Sequence, residues 1–203
     1  MQVSSRPAFR RAGPDERRHS LIAACASVLA REGASGASVR AIAAGAGVSP
    51  GLIGHYFGSV DALVAATYAQ AGEQVDAALD TALIAATPDP RARLEAFVTA
   101  SFAPPIAEQQ LLATWIAFWS LVRARPDIAG QHDAQYARFR ARLEALLADC
   151  GVPPASLRRA AIAITALVDG LWLELCLSPG AFSADEAGAI ARAQLDALTS
   201  TSR

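Results

Sequence analysis

Two tryptophans four residues apart, Trp115 and Trp119, stand with Phe118 and Val122 in the apolar run LLATWIAFWSLV, and Asp169 and Trp172 stand three apart in ALVDGLWLELC. Residues three or four apart share a helix face. Each pair would therefore present one surface: aromatic rings on the first helix, a carboxylate beside a ring on the second. Glu174 points to another side of its helix. Rings around a single buried carboxylate are the chemistry that holds a quaternary ammonium, which has no proton to donate and is bound by ring faces and an anion. Trp115, Phe118, Trp119, Asp169 and Trp172 are thus candidate ligand residues. The same spacing also suits an ordinary core, with Gly170 permitting a close helix crossing, and the sequence leaves both readings open.

A second stretch with chemical content is AGVSPGLIGHYF, residues 46 to 57. It concentrates glycine, proline and serine between two apolar helical patterns. A helix that stops at Gly47 and restarts at Ser49 leaves a turn of about three residues, the spacing of a helix-turn-helix. Gly47 permits the left-handed backbone that such a turn needs. Val48 would fill the angle between the helices, with Ile42, Ala43, Ile53 and Phe57 as a small core. The second helix begins with Ser49, Pro50 and Gly51, so its first turn offers bare amides and a hydroxyl to a phosphate. Leu52 is placed to meet a thymine methyl, and His55 and Tyr56 to reach a base edge or a phosphate. Ser38 and Arg40, just upstream, add phosphate contacts.

Catalytic constellations do not assemble. The chain contains no lysine, hence no P-loop or Schiff-base lysine, and neither G-x-S-x-G nor H-E-x-x-H occurs. Gly45, Gly47 and Gly51 miss the dinucleotide spacing and follow a helix. His19, His55 and His132 lie far apart, with no cysteine at ligand spacing. No enzyme activity, metal or cofactor is expected. A sequence-independent DNA scaffold is the remaining rival to a sequence reader.

The formal net charge of -1 conceals an asymmetry. Residues 1 to 60 carry seven arginines against three carboxylates, and residues 61 to 203 carry eleven against sixteen. An anionic partner is expected at the N-terminal third. Cys25, Cys150 and Cys176 are odd in number and widely spaced, which suits reduced thiols. The longest charge-free stretch, residues 41 to 60, holds five glycines and a proline, so no membrane span is expected. The N-terminal arginines precede no apolar run, and a cytoplasmic location is the expectation.

Apolar residues recur at helical spacing almost throughout, and no long alternation suggests a strand, so the expected fold class is all-α. Breakers divide the chain into helices at about 15–32, 39–46, 50–56, 60–86, 91–103, 107–123, 131–149, 154–177 and 184–198. Ser38, Ser49, Ser59, Asp89 and Ser183 are candidate N-caps, and Ser183 with Glu186 forms a capping box. The expected organisation is a flexible basic arm over 1–14, a helix-turn-helix unit over 15–60 and a ligand-sensing, dimerising domain over 61–203.

The block from Arg17 to Thr67 resembles the DNA-binding domain of the TetR family of repressors. Ser38-Val39-x-x-Ile42-Ala43, Ala46-Gly47-Val48-Ser49, Gly51, His55-Tyr56-Phe57 and Leu63 carry the likeness, while Gly54 and Val60 depart from the family's usual aromatic and lysine. Residues 111–126 and 166–180 resemble the choline-responsive BetI branch. The resemblance implies contacts to double-stranded operator DNA through Ser49, Gly51, His55 and Tyr56, and a small-molecule effector of the quaternary ammonium class, with a different apolar or cationic effector as the alternative. It also implies a homodimer in which the last two helices pair with their copies and the two readers sit about one DNA turn apart on a near-palindrome. Leu167, Leu171 and Leu175 on one helix and Ile190 and Leu198 on the next form the candidate dimer stripe.

Overall fold

A computed structural model describes residues 13–200, which form nine α-helices and no strand. The arm with Arg6, Arg10 and Arg11 lies outside the described residues.

Local chemistry fixes most boundaries. Helix α1 (Pro14–Gly36) starts with proline in its first turn and Asp15 and Glu16 against the helix dipole. Its regular part stops at Gly33, whose φ of 69° is left-handed, and one further turn follows to Gly36. The Ser38 hydroxyl then accepts from the Ala41 amide at 3.2 Å and opens α2 (Val39–Gly45). Gly47, at φ 63°, swings the chain into α3 (Gly51–Phe57). The Ser59 hydroxyl accepts from the Ala62 amide at 3.0 Å to start α4 (Val60–Ala85), and the Asp89 carboxylate accepts from the Ala92 amide at 2.8 Å to start α5 (Pro90–Thr99). Helices α6 (Gln109–Val122), α7 (Pro126–Asp149), α8 (Pro154–Leu177) and α9 (Ala184–Ser200) complete the chain. The Ser183–Glu186 box at the start of α9 is closed in both directions, the Ser183 amide donating to the Glu186 carboxylate at 2.7 Å and the Glu186 amide to the Ser183 hydroxyl at 3.2 Å.

The sequence expectation needs three corrections. Helix α7 begins at Pro126, not near 131, because Arg-Pro-Asp places proline at the first helical position and an aspartate in the first turn; it starts a helix where a loop was expected. Ser49 does not cap α3: Pro50, already helical, precedes it and no side chain caps that end. The expected helix 91–103 ends at Thr99 and tightens into a 3₁₀ turn over Ala100–Phe102.

One continuous apolar core joins both parts of the chain. Leu21, Ile42, Ile53 and Leu63 close the space among α1 to α4, and Leu94, Phe97, Phe118, Ile128 and Leu147 do so among the later helices. Tyr68 and Leu79, fully buried on α4, lie between them and make that helix a shared strut. By length and composition α8 alone among the described residues could cross a membrane. Part of its apolar surface is spent inward, through Ala161, Ile164, Val168 and Trp172, and part remains exposed, at Ile162, Leu173 and Leu177.

Candidate nucleic-acid face and effector cavity

The α2–turn–α3 unit presents its polar residues outward. Ser38, Arg40, Ser49, Pro50, Gly51 and His55 are exposed, and Leu52 and Tyr56 are half-buried. Ile53 is fully buried and Phe57 packs on the core, so the division into exposed side and packing side follows the expected register. His55 and Tyr56 meet edge to face with ring centroids 5.0 Å apart. Arg18, on α1, was not singled out from sequence. Its guanidinium donates to the Tyr56 carbonyl at 3.1 Å and lies 4.3 Å from the Phe57 ring centroid, which anchors the C-terminal end of α3. Arg40 has no ion pair among the described residues and keeps its charge available.

Two polar links tie this unit to the rest. The Thr114 hydroxyl of α6 donates to the Ala26 carbonyl of α1 at 3.2 Å. Arg125, just before α7, donates to the Asp61 carboxylate at 2.8 Å and to the Asp61 carbonyl at 3.0 Å, while also holding Asp127. The first turn of α4, where the reading unit ends, is thereby fastened to the α6–α7 corner.

The aromatic residues gather in the second half, around a cavity of ≈ 50 Å³ among α4, α6, α7 and α8. Trp115, Asp169 and Trp172, of the sequence candidates, line it. Their arrangement is built by the fold: the Trp172 indole donates to the Ser101 carbonyl at 2.8 Å, and the ring centroids of Trp115 and Trp172 are 6.5 Å apart. Phe118 stands behind, edge-on to Tyr68 and Trp115 at 4.8 and 5.9 Å, and is core. Trp119 is half-buried beside Tyr136 and does not line the space. Tyr136 and Phe139, one turn of α7 apart in the polar-looking segment QYARF, are lining aromatics that the sequence reading missed. Their only signal was an aromatic pair three apart on one face.

The Tyr136 hydroxyl donates to the Asp169 carboxylate at 3.0 Å. Burial raises the Asp169 carboxyl to about 6, against the opposing pull of that hydrogen bond and of Arg140. Burial also pushes the Tyr136 phenol upward, reinforced by the Asp169 charge. The Tyr136 ring lies against that of His132, with centroids 4.2 Å apart, and His132 Nδ1 lies 3.3 Å from the Tyr68 hydroxyl of α4. Burial lowers the His132 imidazolium, so the neutral ring is favoured there. Asp169 has no ion-pair partner among the described residues.

Comparison with known proteins bears on both regions. Residues 21–67 match the family model described as bacterial regulatory proteins of the tetR family, and residues 90–200 match the BetI-type transcriptional repressor C-terminal domain. A transcriptional regulator named BetI from Burkholderia thailandensis is 35% identical over 182 residues, covering 90% of this chain and 93% of that protein. The chain belongs to the TetR family. Its C-terminal domain is of the BetI type. The BetI regulator of Paraburkholderia phymatum is likewise 35% identical, over 92% and 94% of the two chains. A transcriptional regulator from Pseudomonas aeruginosa PAO1 superposes with a TM-score of 0.85 at 39% identity, covering 96% and 95%. A regulator from Saccharomonospora viridis, solved in complex with choline, shares the fold with a TM-score of 0.80 at 19% identity, covering 90% and 96%.

The TetR-family assignment settles the broad activity. The relatives are transcriptional regulators and not enzymes. It also gives the exposed face of α8 and α9 a context. Leu167, Leu171 and Leu198 are half-buried and Ile190 is 46% exposed, whereas Leu175 turns inward to the core of its own chain. Ile162, Leu173 and Leu177 carry the exposed apolar surface of α8, on a different side from the stripe expected at Leu167, Leu171 and Leu175.

Proposed function

We propose that this TetR-family regulator is a cytoplasmic homodimer that represses transcription at a near-palindromic operator and responds to a small quaternary ammonium such as choline. The α3 face, with Ser38 and Arg40 beside it, contacts the DNA. Ser38, Arg40, Ser49 and Pro50 lie against phosphates, and Gly51 lets the backbone approach closely. Leu52, His55 and Tyr56 sit where base edges pass.

The observation that carries the effector reading is Asp169: a largely buried carboxylate that feels Arg140 only at a distance and forms no ion pair among the described residues, bonded to one phenol and flanked by the rings of Trp115, Tyr136 and Trp172. A buried charge is costly unless it is paired, and an aromatic wall attracts a cation through the ring quadrupole. A permanent organic cation satisfies both. The present cavity admits only a few waters, so binding has to widen it. Three of its sides belong to α4, α6 and α7, and α4 leads to the reader, so a ligand that widens the cavity would bear on the helix that reaches the DNA-contacting unit.

Titration with choline while tryptophan emission and retention of operator DNA are followed tests the reading. Saturable quenching together with a changed DNA affinity is expected. No response in either signal at millimolar choline would refute it.

A further inference from the structure

The cavity has a second polar end that the cation does not need. Gln135 of α7 is 8% exposed and lines the cavity, yet its amide makes no hydrogen bond among the described residues. The Trp115 indole N–H, on a residue 4% exposed that also lines the cavity, is buried and without an acceptor. Buried polar groups are almost always paired. The unpaired Trp115 N–H and the unbonded Gln135 amide line the same small cavity as a carboxylate suited to a cation, and together mark a place for an oxygen.

Gly72 explains how the amide comes to be there. A Cβ at that position would stand 2.8 Å from Gln135 Oε1 and 2.9 Å from Nε2, so only glycine on α4 lets the amide lie flat against the helix. Further along the same two helices Asp76 pairs with Arg138 and Arg142, at 3.6 and 3.7 Å, and Asp80 with Arg142, while on the other side of the contact the Tyr68 hydroxyl meets His132 Nδ1 at 3.3 Å. The amide is therefore held between the α4 backbone and the cavity, with little freedom to seek a partner elsewhere. Both charged residues on the lining, Asp76 and Asp169, are carboxylates, which disfavours a negatively charged oxygen.

We propose that Gln135, assisted by the Trp115 N–H, is the specificity-determining residue of the effector site, selecting an organic cation that carries a neutral hydroxyl or carbonyl oxygen over one that carries none or a carboxylate. This rests on the cation-binding reading of Asp169. A ligand oxygen bonded to the amide also presses on α4 at Gly72, which links recognition to the strut that carries the reader.

The test compares dissociation constants of choline, tetramethylammonium and glycine betaine, read by tryptophan fluorescence, in the full-length protein and in Gln135→Met. The wild type should bind choline roughly three- to tenfold tighter than tetramethylammonium, the worth of one buried neutral hydrogen bond, and bind betaine weaker than choline. In Gln135→Met the choline advantage should fall to about one, with tetramethylammonium bound as before, which also shows that the variant is folded. Gly72→Ala, which displaces the amide without altering its chemistry, should reduce the advantage in the same way. Equal binding of choline and tetramethylammonium by the wild type, an unchanged ratio in Gln135→Met, or betaine bound best would each overturn the assignment while leaving the cation site standing. Binding of none of the three cations would instead remove the cation reading and this inference with it.

Discussion

At the scale of single residues, Gly47 and Asp169 bear most of the account. Gly47 sits at φ 63° with open space around its missing side chain, so a Gly47→Ala change adds no clash and isolates the backbone term. That term is about 1–2 kcal/mol for a left-handed residue with a Cβ. For a chain of this size it corresponds to a fall in Tm of roughly 2–8 °C, measurable by calorimetry, with a weaker grip on DNA as the angle between α2 and α3 relaxes. Asp169 gives a pH-dependent prediction. Its carboxyl is raised to about 6, and only the ionised form attracts a cation, so choline affinity should fall up to about tenfold per pH unit below that value. Asp169→Asn should abolish the pH dependence along with most of the affinity. For the ligand-free protein the sign is opposite. The folded value lies above the unfolded one, so this group's share of stability is fully present only below the ordinary carboxyl value of 3.8 and is lost as pH rises from there through about 6. Thermal unfolding at pH 5 and pH 7 in Asp169→Asn against the wild type checks that difference.

At the scale of elements, the proposed coupling between cavity and reader would run through α4 and its fastenings. Arg125 is 83% buried at its side chain and holds the first turn of α4 to the start of α7 through Asp61 and Asp127. Arg125→Gln removes the two-sided grip without touching the cavity. Choline affinity should stay within about twofold, while the change in DNA affinity that choline produces should shrink severalfold; the two titrations are done on the same preparation. Loss of choline binding in this variant would place the link elsewhere. The helices themselves were legible in the sequence because capping serines and aspartates, prolines and glycines act locally, as at Ser38, Ser59, Asp89 and the Ser183–Glu186 pair. The start of α7 was misread because Arg-Pro-Asp serves as well for a helix start as for a loop. The cavity was legible only in part. Trp115, Asp169 and Trp172 share faces within single helices, but Tyr136, Gln135 and Gly72 come together through the packing of α4 on α7, and periodicity within one helix carries no record of that. Arg18 was hidden for the same reason, since its partner Tyr56 is thirty-eight residues away.

At the scale of the whole molecule, the exposed apolar positions of α8 and α9 are where the proposed dimer can be tested. Ile162, Leu173, Leu177 and Ile190 are 46%, 37%, 64% and 46% exposed, and they lie on the two helices by which the family resemblance pairs one chain with its copy. Leu175, buried 91% in its own chain, belongs to stability and not to that face. Leu173→Glu should leave the protomer folded, because its side chain already meets solvent, and shift the species to a monomer in sedimentation analysis. DNA affinity should then drop by orders of magnitude, since two readers on one operator act with a shared effective concentration. The most direct test of the central claim is a footprint on genomic fragments selected by the purified protein, taken with and without choline. Protection of two half-sites about one helical turn apart on a near-palindrome is expected, altered by choline. Equal retention of random duplexes at every salt concentration, with no bounded footprint, would contradict it.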